Sequence, residues 1–270
     1  MTAPFSESDV LFLIETLMPG RPDAERLAKA IQDDPTYLEA MLGDDRVFQR
    51  LMSDEEALLK VSPRFFFDIL LRKAARDLRE MTHTMEIRNL QRVAVFDTQQ
   101  VVELLEQASV RQYLAEMLAS FVRTESITIP IRVRKGVWRK LRFSDLDVDS
   151  LSQYAQALDE ELRFRPYKRI ADVCLFLVGM FPEYVEAQYR YPYTRTLRRG
   201  PLGRLPRSLE DYEREGSQFY SLAAEHETAR ALDLQEVLSI LAEKFTLAEK
   251  PLAHLSQHYL QLRRHAIFGL

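Results

Sequence analysis

The chain has 270 residues, 46% hydrophobic and 29% charged, with a formal net charge of −4. That is enough apolar material for a sizeable core in one large domain or two small ones, and it excludes a disordered chain. Eight glycines argue against Gly-rich phosphate loops and turn-rich all-β folds, and a single cysteine excludes an internal disulfide.

The first nine residues carry no basic stretch ahead of the apolar run 10–18, which predicts a cytoplasmic protein without a signal peptide. Ser6 followed by Asp9 has the spacing of a capping box and opens a helix to about Met18, closed by Pro19-Gly20. Pro22 opens a second helix through Ile31, and two or three short helices follow to about Lys60. Together these predict an N-terminal helical subdomain over residues 1–60, followed by a main helical domain over 61–270.

Ser62-Pro63 reads as an N-cap followed by proline at the first helical position. The helix behind it, 64–80, sets Phe66, Ile69, Leu70 and Ala74 on one face and is expected to be central. Asp97 with Gln100 and Ser109 with Gln112 resemble successive capping boxes, predicting helices at 98–107 and 110–123 joined by a corner. Further helices are expected at 148–162 and 167–181, broken at Arg165-Pro166, and then at 209–231, 233–245 and 249–264. The most apolar run, 173–181, is too short to span a bilayer.

One segment departs from helical periodicity. Ile127, Ile129, Ile131 and Val133 alternate with Thr128, Pro130, Arg132 and Arg134, the period of a half-buried strand, and 137–143 supplies a return strand. A three-residue loop through Gly136 pairs Val133 with Val137, Ile129 with Leu141 and Ile127 with Phe143. The opposite face of this hairpin, 127–143, then holds Arg132, Arg134, Trp138, Lys140 and Arg142.

Charge is segregated along the chain. Residues 126–142 and 187–209 contain no acid and hold twelve of the 37 Lys and Arg, leaving the remainder at −16. The second stretch, an Arg/Tyr-rich loop expected over 187–208, interleaves Tyr189, Arg190, Tyr191, Tyr193, Arg195, Arg198, Arg199 and Arg204 with glycine and proline. Arginine forks match phosphate and carboxylate, and aromatic rings stack, so both stretches suit an anionic partner. The plainer alternatives are a hairpin whose cations are solvated or protect a strand edge, and a surface linker.

Catalytic constellations are thin. Glu80-Met-Thr-His83 is one Glu-x-x-His, but none of the other histidines has a glutamate three residues before it, so a di-iron centre is incomplete. His254 and His258 lie four apart without a further metal-ligand pattern, and Glu225-His226-Glu227 cannot converge on one helical face. Cys174 lies among apolar neighbours that should bury it, and Asp172 in the same run needs a cation such as Lys168, Arg169 or a loop arginine. Tyr212, Phe219 and Tyr220 read as packing.

These readings predict a mainly α fold of about ten helices in an orthogonal or bundle-like arrangement with one β-hairpin insertion. The function they favour is a non-enzymatic adaptor that engages an anionic partner without a cofactor. That partner would be an acidic protein surface, a second copy of the chain, or nucleic acid. The acidic isoelectric point of 5.8 favours protein over nucleic acid. The competing expectation is an enzyme or small-ligand sensor whose inter-helix pocket is closed over an anion by the Arg-rich loop.

Overall fold

The computed structural model describes residues 5–32, 35–88, 91–122, 126–134, 137–144, 146–190, 207–261 and 263–269. Five short helices open the chain: α1 (Glu7–Leu17), α2 (Ala24–Gln32), α3 (Pro35–Leu42), α4 (Asp45–Ser53) and α5 (Glu55–Lys60). Next come α6 (Pro63–Glu80), strands β1 (Thr84–Arg88) and β2 (Gln91–Val95), helices α7 (Thr98–Glu106) and α8 (Ala108–Val122), and strands β3 (Ser126–Arg134) and β4 (Val137–Ser144). The remainder is α9 (Val148–Ala157), a 3₁₀ turn (Glu160–Leu162), α10 (Phe164–Met180), α11 (Pro182–Arg190), α12 (Leu209–Glu225), α13 (Glu227–Ala231), α14 (Gln235–Glu243), α15 (Phe245–His254), a π-turn (Leu255–Tyr259) and α16 (Arg264–Phe268). The fold is mainly α, as its composition implies, with the expected hairpin at β3–β4. A second antiparallel ribbon, β1–β2, was not signalled by the sequence.

Local chemistry explains most boundaries. Asp9 closes the capping box of α1 with Ser6, and its carboxylate also accepts from the backbone N–H and hydroxyl of Ser62 at 2.7 and 2.8 Å. One buried acid thereby satisfies the starts of α1 and α6, which would otherwise leave orphan donors. Asp97, by contrast, makes no capping bond: its carboxylate takes Thr84 Oγ1 at 2.7 Å and the ammonium of Lys250. Nor does Ser109 cap, because α8 begins at Ala108. The break expected at Arg165-Pro166 falls earlier, at residues 158–163, and Pro166 sits in the first turn of α10, where it forfeits no intrahelical N–H bond. The helix expected over 209–231 divides at His226, whose ring caps α13.

One hydrophobic cluster runs from Phe5 to Phe268 and draws on the N-terminal helices as well as the rest. Its centre is α10, buried on every side from Ile170 to Met180 and packed against α9, α12 and α15, while α6 lies against α7 and α8. Phe121 stacks on Phe176 at 4.1 Å between ring centroids, and Phe176 meets Phe268 edge-on at 4.9 Å, so α8, α10 and α16 share an aromatic knot. Two glycines let helices approach α10 and α12 closely. A methyl group on Gly216 would collide with the Phe245 ring and lie 2.9 Å from Cβ of Cys174, and one on Gly179 would lie 2.6 Å from Cβ of Leu252. Replacing Gly216 by Ala is therefore expected to destabilise the fold by about 1–3 kcal/mol despite alanine's better helix propensity. Urea unfolding checks this: an undiminished midpoint would show that α12 can retreat from α15 at no cost.

Candidate partner-binding surface

The hairpin register is Ile127 opposite Phe143, Ile129 opposite Leu141 and Arg132 opposite Trp138. The outer two pairs are those expected from the alternation. Towards the tip the pairing changes: an irregularity between Arg132 and Arg134 brings Arg134 opposite Val137, so the expected Val133–Val137 pair is not formed. An extra residue in one strand reverses the alternation beyond it. Arg132, Trp138, Lys140 and Arg142 thus keep register positions of one face, and Arg134 falls out of step with them.

In the second cationic stretch, residues 187–190 form the last turn of α11 rather than a loop, because the helix started at Pro182 continues to Arg190. Tyr189 is 48% exposed on that helix. Tyr191, Tyr193, Arg195, Arg198, Arg199 and Arg204 lie outside the described residues.

The return from that stretch is anchored. Arg207 donates from Nη2 to Asp149 of α9 at 2.6 Å and from Nε to Glu215 of α12 at 2.8 Å, with its guanidinium 5.8 Å from the Tyr212 ring centroid. Burial works against the guanidinium's charge, yet the two carboxylates outweigh it and hold its pKa above the ordinary arginine value. Ser208 and Asp211 close a capping box one residue later, so α12 starts at a rigid point. Asp149 belongs to the first turn of the helix that follows β4, so Arg207 ties the end of the second cationic stretch to the end of the first. At the entrance to the hairpin, Arg169 lies 3.9 Å over the Phe121 ring and donates to Ser120 Oγ at 2.8 Å.

The features weighed for an anion pocket lie elsewhere. Asp172 is buried, and all its charge is answered inside the fold: Tyr113 and Tyr220 donate to Oδ1 at 2.7 and 2.9 Å, and Lys168 donates to Oδ2 at 2.8 Å. Glu80 ends α6 in solvent, with His83 beyond the helix and 3.0 Å from Thr82 Oγ1. A cavity of about 50 Å³ opens between β1, α12 and α15, and its lining includes Met85, Leu209, Glu86, Glu210, Glu213 and Lys250. With Glu249, four carboxylates stand beside one ammonium and disfavour an anion there. Lys250 pairs with Glu86 at 2.6 Å and with Asp97, a buried group of three that pins the β1–β2 ribbon to α15. Sequence reading missed it because its members are up to 164 residues apart.

Cys174 is fully buried, and that burial raises its thiol pKa, as its apolar neighbours implied. His226 turns Nε2 towards the carbonyl of Glu160 at 3.1 Å, so Glu225-His226-Glu227 is a helix junction. Among the described residues no three His, Cys, Asp or Glu side chains form a metal-binding group, and no helix is long and apolar enough to cross a membrane.

Comparison with protein-family models, curated proteins and solved structures returns no match.

Arg207→Met would leave Asp149 and Glu215 facing each other with no cation between them. The expected loss is about 1–3 kcal/mol, between the values for exposed and buried pairs, because all three side chains are only partly shielded. Adding Asp149→Asn and Glu215→Gln should recover part of it. If the triple variant is no more stable than the single one, the carboxylates are not what Arg207 answers.

Proposed function

We propose that this protein is a non-enzymatic adaptor that engages an anionic partner through the β3–β4 ribbon and the cationic stretch that ends at Arg207. The partner favoured is an acidic protein surface. The observation that carries the reading is the Arg207 bridge to Asp149 and Glu215, which joins the last cation of the second stretch to the helix after the first. Two cationic segments with adjacent anchor points present one extended field, whereas cations distributed evenly over a chain of net charge −4 would cancel. On the ribbon, Arg132, Lys140 and Arg142 alternate in register with Trp138 at a position to add stacking to charge.

The acidic cavity gives no support to an anion-sensing enzyme, since its carboxylates repel the ligand such a site would need. An acidic protein surface is preferred over nucleic acid because a net charge of −4 and an isoelectric point of 5.8 are not those of a dedicated nucleic-acid binder.

The reading is tested by measuring affinity for poly-glutamate and for a DNA duplex at several salt concentrations. Binding should weaken steeply with salt and favour poly-glutamate. The variant carrying Arg132→Gln, Arg134→Gln, Lys140→Gln and Arg142→Gln should lose most of it, with the logarithmic salt slope on DNA reduced by up to about 4. Thermal unfolding of the variant should match that of the parent. Equal retention of both proteins on both polyanions would dispose of the proposal, and preferential binding to the duplex would move the partner to nucleic acid.

A further inference from the structure

The end of α15 has an unusual geometry. The helix carries Pro251 in its interior, where the missing N–H and the ring loosen the backbone, and it runs directly into the π-turn, closed by the Leu260 N–H on the Leu255 carbonyl at 2.9 Å. Residues five apart lie about 140° apart around a regular α-helix and do not meet. The widened turn instead brings His254 and Tyr259 together, Nε2 to Oη at 3.2 Å, and sets the His254 and His258 rings 4.3 Å apart.

Proton counting fixes the state of this group. Tyr259 has one hydroxyl proton and donates it to Asp77 Oδ2 of α6 at 2.6 Å, since a carboxylate can only accept. Its oxygen must then accept from His254, whose Nε2 therefore carries the hydrogen, and burial keeps the ring otherwise unprotonated at neutral pH. An added proton has to go to Nδ1.

The resulting imidazolium would be poorly received. The His254 side chain is 7% exposed, His258 lies against it, and Lys73 of α6 faces it with a second positive charge. Asp77, 4.0 Å from Nε2, already receives Tyr259 on Oδ2 and Lys73 at 2.8 Å on Oδ1. Arg76 of α6 and Asp45 of α4, paired with each other at 2.8 Å, also act on Tyr259.

We propose that the π-turn is a proton-operated latch: a proton added at Nδ1 of His254 leaves a buried imidazolium against His258 and Lys73, and its release to solvent opens residues 255–260, and with them the relay through Tyr259 to Asp77, before the rest of the fold yields to acid. This inference is independent of the partner-binding proposal.

The direction follows from linkage. Burial first, and then His258, pushes the His254 pKa from an ordinary 6.5 down to about 4. The closed turn therefore takes the proton less readily than the open one, so closure is favoured at neutral pH and lost progressively as pH falls through that window.

Hydrogen exchange, corrected for the intrinsic pH dependence of amide exchange, reads the latch directly. Between about pH 7.5 and about pH 4.5, protection at Tyr259 and Leu260 should fall by about tenfold or more relative to amides of α10. His258→Gln, at an exposed position, should move that loss to lower pH by removing the neighbouring charge. Parallel loss of protection in the turn and in α10 would overturn the latch, and so would a His258→Gln profile that superimposes on the parent's. Should His258→Gln fail to fold, Tyr259→Phe provides the second reading: the turn should already be open at about pH 7.5, and a closed turn there would overturn the proposal.

Discussion

A carboxylate in the middle of the most buried helix sets the terms for the rest of this fold. Asp172 lies in α10 among Ala171, Val173 and Cys174, all sealed from solvent, and an isolated ionised group in such a place would cost more than the fold could supply. Its acceptors are met instead by Tyr113 from α8, Tyr220 from α12 and Lys168 one turn earlier in α10. The two phenols are forced to remain protonated, their pKa values raised by burial first and by the neighbouring carboxylate second. Three helices are thus brought to one point by a polar requirement, and the aromatic knot of Phe121, Phe176 and Phe268 packs around the same axis. Hydrophobic burial drives helices together without specifying rotation; a buried network that must be fully satisfied adds a condition on register.

The same logic recurs towards the periphery. Asp68 of α6 is 2% exposed and holds Arg72 at 2.5 Å, with Arg111 of α8 at 3.5 Å, and Arg72 in turn forks onto Glu39 of α3. That bidentate pair holds Glu39 below the usual carboxylate range. Lys250 does for the β1–β2 ribbon what Asp9 does for the starts of α1 and α6, since each is one buried charge answering donors or acceptors from distant parts of the chain. Gly179 and Gly216 permit the close approach of α15 to α10 and α12.

What could be read from the sequence follows from how local the cause is. Ser6 with Asp9 and Ser62 with Pro63 act within one turn of helix, and both cap as their spacing implies. The hairpin pairs Ile127–Phe143 and Ile129–Leu141 follow from alternation alone, whereas the irregularity beyond Arg132 does not. Asp97 has the residue type and spacing of a cap, yet Thr84 and Lys250 offer it stronger partners, and nothing near Asp97 in sequence announces them. The β1–β2 ribbon escaped notice for the same reason: Glu86 breaks the expected apolar pattern because it turns in to Lys250, so a strand whose inward position is charged looks like no strand at all.

The candidate surface shows the limit of counting charges. Arg207 belongs to the same acid-poor stretch as Arg198 and Arg204, and by composition the three are equivalent. In the fold Arg207 is committed to Asp149 and Glu215, one of them 58 residues away. A cation adjoining a helix cap has carboxylates of that helix within reach, and Ser208 with Asp211 marks such a cap, so the internal role of Arg207 was half visible in the chain. The other half, the link to Asp149 at the start of α9, could come only from the way α9 and α12 both pack on α10. The geometry that brings Arg207 to the start of α9 is therefore a product of the core, and ultimately of the helix that carries Asp172.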